Sequence, residues 1–306
     1  MDHLWGIDLG GTKIEGAVLD PAALDRPVCR LRVPTEAEKG YDHIRAQAAR
    51  LVKMIQAESG LPLPPRIGIG TPGAIDPQTG LLKNSNTQCL IGRRLQDDLA
   101  ADLGVPCLLV NDANCFALAE ATLGAARGYP TVFGVILGTG VGAGIVVNGQ
   151  VLNGCHGIAG EWGQIVLDPH GPLSNYGTRG TVEAFISGPA LERFYAEQSG
   201  QPRKLKEIVD RAQTHDDPAA QATLDRLTDT FAKAIGLIID VLDPHAIVLG
   251  GGVGNIAALY TEETRRKITA AIFNPTFEAA LLKPALGDSA GVFGAAMLTC
   301  HAAIAV

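Results

Sequence analysis

The stretch that decides the fold occurs twice, as Asp8-Leu9-Gly10-Gly11-Thr12-Lys13 and as Leu137-Gly138-Thr139-Gly140-Val141-Gly142. With Gly10 laid on Gly138 the flanks also match, Gly16-Ala17-Val18 falling on Gly144-Ile145-Val146. Each turn is entered from an apolar run (4–9; 132–137) and left by another (14–19; 143–147), which predicts the tip of a β-hairpin in each case. Glycines without Cβ let backbone N–H groups approach an anion closely, and the threonine hydroxyls and Lys13 add donors. Two such tips in two related halves predict a nucleotide triphosphate held in a cleft between two domains.

Composition sets the outer bounds. With 306 residues, 46% hydrophobic and 19% charged, the chain builds a large core and is long enough to split into two domains. A net charge of −7 argues against a broad nucleic-acid surface. The one short basic cluster, Arg265-Arg266-Lys267, lies in a helical pattern and reads as a solvated face. Cysteines at 29, 89, 107, 115, 155 and 300 show no CxxC pair and read as reduced, mostly buried thiols of a cytoplasmic protein. Asp2, Asp8 and Lys13 interrupt the opening residues, so no signal peptide is expected. No apolar run approaches the ~20 residues of a membrane span; the run 235–242 is broken by Asp240.

Periodicity predicts strands at 4–9, 14–20, 28–33, 66–70, 106–110, 131–137, 142–148 and 246–249. It predicts helices at 40–58, 93–103, 113–125, 188–198, 203–213, 217–241, 256–272 and 290–304. Alternating strands and helices imply helix-covered sheets in an α/β fold. The segment 153–187 differs, being glycine-rich with Pro169 and Pro172; an irregular stretch of that length points to a ligand.

These motifs together resemble the ROK family of bacterial sugar kinases, within the actin-like ATPase fold. Asp8 to Lys13 resembles its first phosphate motif, Gly70-Thr71-Pro72-Gly73 with Asp76 and Gly80 its PG segment, and Asn111-Asp112-Ala113-Asn114 its catalytic segment. Leu137 to Gly140 resembles the second phosphate motif, Gly157 to Gly163 (GIAGEWG) the sugar signature, and Leu249-Gly250-Gly251-Gly252-Val253 the adenosine motif. Asn84-Ser85-Asn86-Thr87 through Arg94 and Cys115-Phe116-Ala117-Leu118 look closest to fructokinase and manno(fructo)kinase members. The resemblance implies a duplicated actin-like (ribonuclease H-like) α/β fold with a central cleft. The expected domains are 1–115, with a helix at about 290–306 packing back on it, and 116–289, carrying the sugar loop 153–187.

It also implies chemistry. Asp112 follows an apolar strand and opens a helix; read blandly it is an N-cap, and read functionally it is the general base that takes a proton from a sugar hydroxyl. A helix N-terminus favours its ionised form, so the two readings are compatible. Asp8 is expected to position Mg²⁺ through water, and Gly10, Gly11, Thr12, Lys13, Gly138, Thr139 and Gly140 to neutralise phosphate. Gly250, Gly251 and Gly252 would lie against adenosine, with Gly291 closing the same pocket. Sugar contacts are expected from Asn111, Glu161, Gln164, Glu183, Gly73 and Asn86. The implied reaction is transfer of the γ-phosphoryl of Mg-ATP to a hexose 6-hydroxyl, fructose first, with glucose, mannose or an N-acetylhexosamine as the alternative. A non-catalytic sugar sensor is the rival of another class. A repressor would carry a helix-turn-helix ahead of a fold that here starts at Leu4. A homodimer is the expected assembly, with no nucleic-acid or membrane partner.

One departure stands out. The resemblance implies a structural zinc beside the sugar site, usual in the family and held there by one histidine and three cysteines. The corresponding positions here are Gln164, Ser174, Tyr176 and Thr181, none of which offers the thiolate or imidazole that zinc prefers. No zinc is expected, and the loop should be held by hydrogen bonds and packing.

Overall fold

The computed structural model describes residues 2–214 and 216–300. Its strands are β1 (Leu4–Leu9), β2 (Lys13–Asp20), β3 (Ala23–Pro34), β4 (Ile67–Thr71), β5 (Ala74–Ile75), β6 (Leu82–Lys83), β7 (Cys107–Asn111), β8 (Thr131–Leu137), β9 (Val141–Val147), β10 (Gln150–Val151), β11 (Ala246–Gly250) and β12 (Ala280–Leu282). Its α-helices are α1 (Tyr41–Ser59), α2 (Leu95–Leu103), α3 (Asp112–Thr122), α4 (Val182–Ile186), α5 (Gly188–Ser199), α6 (Leu205–Gln213), α7 (Pro218–Leu242), α8 (Gly251–Gly254), α9 (Glu262–Ala271) and α10 (Ala290–Met297).

The two large sheets share one plan. The first runs β3-β2-β1-β4-β7 and the second β10-β9-β8-β11-β12, so each central strand has a hairpin partner on one side and parallel strands on the other. In the first, β1 pairs antiparallel with β2 and parallel with β4, bringing Asp8 opposite Glu15 and beside Gly70. In the second, β11 pairs parallel with both β8 and β12. This repetition is the duplicated actin-like architecture.

By packing, the chain divides into unit 1 (Met1–Pro130, Gly144–Ala159, Ala285–Val306) and unit 2 (Thr131–Ala143, Gly160–Pro284). Unit 1 thus extends past 115, because α3 stays with it: a Cβ on Gly294 of α10 would collide with the Cys115 carbonyl, so the two helices touch backbone to backbone. Residues 144–159 join unit 1 through Gly144, which lies against Ala113 and Asn114, and Gly157, which lies against Ile75. The segment 153–187 is therefore shared between the units.

In unit 1 one sheet face is apolar. Ile7, Leu9, Ile14, Ile67, Ile69 and Leu109 pack with Ile44, Leu51 and Ile55 of α1 and Leu95 and Leu99 of α2, all buried. Strand alternation sends Gly6 and Asp8 to the other face. There Gly6 and Gly68 admit α10, since any Cβ would meet the backbone of Val292, Ala295 or Ala296. In unit 2, Trp162 is buried edge-on between Phe133 (5.9 Å) and Phe231 (6.4 Å).

Helix α1 closes on Gly60, whose φ of +68° suits a left-handed cap. The predicted helix 256–272 is broken: a 3₁₀ turn (Ala257–Tyr260) precedes α9, capped by Thr261 accepting from Thr264 N. The predicted helix 290–304 ends as α10 at Met297, and residues 301–306 lie outside the described residues. Strand β3 starts at Ala23, earlier than 28, because register shifts at Val18–Asp20 let the pairing continue. Among the described residues no helix is long and apolar enough to cross a membrane.

Candidate functional site

The first tip joins β1 to β2. Gly10 N donates to Lys13 O at 3.0 Å, and Thr35 clamps the turn, its hydroxyl donating to Gly10 O (2.6 Å) and its amide to Thr12 O (3.0 Å). Gly11 has nothing closer to an added Cβ than Thr87 Oγ1 at 3.6 Å, so the turn's outer face is open. Lys13 Nζ stands 3.5 Å from Glu15, a buried carboxylate also held by Arg30 and by Arg32 Nε (2.8 Å). Those guanidiniums keep the Glu15 carboxyl below its usual range despite its burial.

Asp8, next to last in β1, faces α10; a Cβ on Gly291 would stand 2.8 Å from its Oδ2. Gly291 therefore serves the Asp8 carboxylate within unit 1. Burial, then Asp112, then Glu15 push the Asp8 carboxyl up to about 7, while Lys13 and Arg32 pull the other way. Asp112 remains solvent-accessible, yet dense surroundings raise its carboxyl, opposed by a hydrogen bond from Ala113 N (2.8 Å). Below both carboxylates lies the buried Cys115, whose thiol is raised well above its ordinary value by burial, Asp8 and Asp112.

Asp112 is not the N-cap of α3. That role falls to Asn111, whose Oδ1 accepts from Ala113 N at 2.9 Å, leaving Asp112 in the first helical turn. Asn111 Nδ2 also donates to Gly73 O (3.0 Å), tying the start of α3 to the turn at Gly73. Gly73 has φ +94°, and a Cβ there would meet Lys83 O at 2.5 Å. Asp76 accepts from the amides of Gln78 and Thr79 and pairs with Lys83 (2.8 Å), so it shapes this turn. Asn86 is exposed between the buried Ser85 and Thr87.

The second tip joins β8 to β9. Gly138 N donates to Gly140 O (2.9 Å), and Gly188 N, opening α5, donates to Gly138 O (2.8 Å). Glu183 of α4 reaches this tip, its Oε2 accepting from Val141 N at 2.9 Å. Trp162 Nε1 donates to Gly142 O (3.2 Å), and any Cβ on Gly163 would collide with Val141 O. The segment 157–163 and α4 thus converge on the second tip. Glu161 precedes the 3₁₀ turn Trp162–Gln164, with Gln164 N donating to its carbonyl (3.1 Å). Tyr176 is raised by burial, then Glu183, then Glu161, which places the three side chains in one neighbourhood.

The glycine run behaves unevenly. Gly251 has φ +83° and would collide with Leu137 as any other residue, so the strand-to-helix turn requires it. Among the described residues Gly252, like Gly138, has nothing within 4 Å of an added Cβ; internal packing does not ask for glycine there.

Sequence reasoning missed Glu15 and Glu120. Glu120 is fully buried and accepts from the amides of Ala125 (2.8 Å), Ala285 (3.1 Å) and Leu286 (3.0 Å), fixing the chain just before α10. The signal was available as one carboxylate in the otherwise apolar Phe116 to Ala121.

Residues 4–302 match the ROK family. An N-acetyl-D-glucosamine kinase of Aliivibrio salmonicida is 35% identical over 304 residues, covering 96% of this chain and 98% of its own. A ROK hexokinase from Thermus thermophilus superposes with a TM-score of 0.83 at 32% identity, over 97% of each chain. A ROK family glucokinase from Streptomyces griseus, solved with glucose and AMPPNP, superposes with a TM-score of 0.77 at 27% identity, over 97% of this chain and 99% of its own.

Proposed function

The chain belongs to the ROK family and is a carbohydrate kinase of it, and on that premise we propose that it transfers the γ-phosphoryl of ATP to the 6-hydroxyl of glucose or N-acetylglucosamine. The relatives favour these sugars, the alternative in the sequence reading, over fructose. The observation that carries the proposal is Asp112: an accessible carboxylate with a raised pKa in the first turn of α3, within the electrostatic reach of Asp8.

In this reading Asp112 accepts the proton of the attacking hydroxyl as the oxygen closes on phosphorus. A raised pKa strengthens it as a base, and the helix terminus with the Ala113 amide keeps enough of it ionised. Asn111 and Gly73, tied to each other, hold Asp112 in register and with Asn86 contact the sugar. Glu161 accepts from sugar hydroxyls, Gln164 both accepts and donates, and Glu183 accepts with the oxygen that Val141 N does not occupy.

Gly10, Gly11, Thr12, Lys13, Gly138, Thr139 and Gly140 meet the phosphates; Gly250, Gly251 and Gly252 meet adenosine. Asp8 would hold Mg²⁺ through water, and the residues fit that cation: Asp112 and Glu15 disfavour negative charge on the buried Asp8, and a divalent ion would relieve that repulsion. When bound, Mg²⁺ supplies neutralisation of phosphate charge. A homodimer and a cytoplasmic location belong to the same proposal, the first checked by sedimentation.

The test is ADP release from Mg-ATP with glucose, N-acetylglucosamine, mannose and fructose side by side. The proposal expects glucose or N-acetylglucosamine to show the highest kcat/KM. Fructose ahead of both would return the assignment to the first sequence reading, and sugar binding without turnover would make the protein a sensor.

A further inference from the structure

The family resemblance implies a zinc in the loop before α4, and the residues present do not fit one. Ser174 is buried and its hydroxyl accepts from the amides of Tyr176 and Thr178, both at 3.2 Å. Thr181 is buried and caps α4, its Oγ1 accepting from Ala184 N at 3.3 Å. Two of the four positions are thus engaged in local turns, and none carries a thiolate or imidazole. Among the described residues no group of three His, Cys, Asp or Glu side chains is placed to hold a metal ion.

The loop nevertheless closes tightly. Val166 bridges to Thr181 and Leu173 to Arg179, both antiparallel. Leu167 N donates to Gly180 O (2.8 Å), Val182 N to Ile165 O (3.0 Å) and Gly180 N to Pro172 O (2.8 Å). At the base Gly180 lies on the Asp168 carbonyl, and a Cβ on Gly171 would stand 2.7 Å from Cζ of Phe185. Phe185 is backed in turn by Arg226 of α7. Its guanidinium lies 4.7 Å from the Phe185 ring centroid and 4.4 Å from that of Phe194 in α5, and its Nε donates to Phe185 O at 3.4 Å. A cation between two ring faces is attracted by both quadrupoles, most strongly where water is thinned out.

We infer that the Phe185–Arg226–Phe194 stack does here what the resemblance would assign to a metal: it fixes the base of the loop and, through α4, the position of Glu183 two residues before Phe185. Arg226 is a positioning residue on this account. Only the role given to Glu183 rests on the sugar-kinase reading; the fastening of the loop does not.

The experiment has two arms on the full-length protein. In the first, metal content is measured after purification without chelators, and the melting temperature before and after dialysis against dipicolinate. Less than about 0.1 zinc per chain and an unchanged melting temperature are expected, since bound metal would contribute directly to folding. About one zinc per chain, or a melting temperature lowered by the chelator, would overturn the inference. In the second arm, Arg226→Met keeps the apolar stem and removes the cation, while Arg226→Lys keeps a charge. Tryptic cleavage after the exposed Arg179 reports loop order without any appeal to activity, and is expected about fivefold faster in Arg226→Met. Sugar KM is expected to rise about tenfold with kcat within about twofold, Arg226→Lys falling between. Unchanged cleavage in Arg226→Met would overturn the fastening; faster cleavage with unchanged sugar KM would overturn the link to Glu183. Should Arg226→Met fail to fold, Phe194→Leu, which removes one ring, is read in the same two assays.

Discussion

The two hairpin tips share a backbone plan and differ in where their chemistry resides. The first has Asp8, Lys13 and Glu15 where the second, laid on it, has Ile136, Val141 and Ala143. In the first, charge does the work: buried Glu15 gathers Lys13, Arg30 and Arg32 beside Asp8. In the second, backbone does it: Gly188 and Trp162 hold the tip's carbonyls from behind, Glu183 holds the amide of Val141, and Gly138 faces open space. A duplicated fold has thus kept its geometry on both sides while concentrating ionisable groups on one. Side-chain changes should therefore matter most at the first tip, and steric changes at the second.

The largest effect is expected at Asp8. Asp8→Asn should lower kcat/KM by about 10³-fold, since alignment of the phosphates and their charge neutralisation are most of what such catalysis requires. The same variant should stabilise the ligand-free protein. The folded carboxyl titrates at about 7, above its ordinary 3.8, so the folded state binds more protons and stability falls as pH rises between those values. At pH 8 the substitution should add up to about 4 kcal/mol, read by thermal melting, and the benefit should vanish near pH 4. A lower melting temperature at pH 8 would break the contrast.

At the second tip, Gly138→Ala should leave the melting temperature within about 2 °C, because among the described residues nothing lies within 4 Å of an added Cβ there. Its KM for ATP should rise about tenfold if a phosphate approaches there. Gly252→Ala tests the adenosine assignment in the same way, with a rise of about fivefold expected. Glu183→Gln keeps an acceptor for Val141 N, so stability should hold while sugar KM rises about fivefold, one charge-assisted contact being weakened. Thr139→Ala should be mildest, about threefold in kcat/KM, the scale of one neutral hydrogen bond. If Thr139→Ala proved as damaging as Asp8→Asn, the division between charged and backbone tips would be wrong.

Much of this was legible in the sequence because hairpins and strand-to-helix turns are local. The runs around Gly10 and Gly138 carry strand patterning on both sides. Strand β12 was missed because three half-buried residues make no period. The predicted helix 256–272 ran through a break that the Thr261-Glu262-Glu263 start signal could have shown. Asn111 rather than Asp112 caps α3 because both side chains reach Ala113 N and the backbone of Asn111 is the extended one. Long-range ties left no local trace. Glu183 finds Val141 42 residues away in sequence, and Glu120 finds Ala285 165 residues away. Charge in an apolar helix was visible at Glu120, but its partners were not.

The most direct test of the central claim is Asp112→Asn, assayed for sugar affinity by intrinsic fluorescence and for turnover by ADP release. If Asp112 takes the hydroxyl proton, kcat should fall about 10³-fold while the sugar still binds within about threefold of the native affinity. Turnover within about tenfold of the native protein, with sugar binding intact, would contradict it.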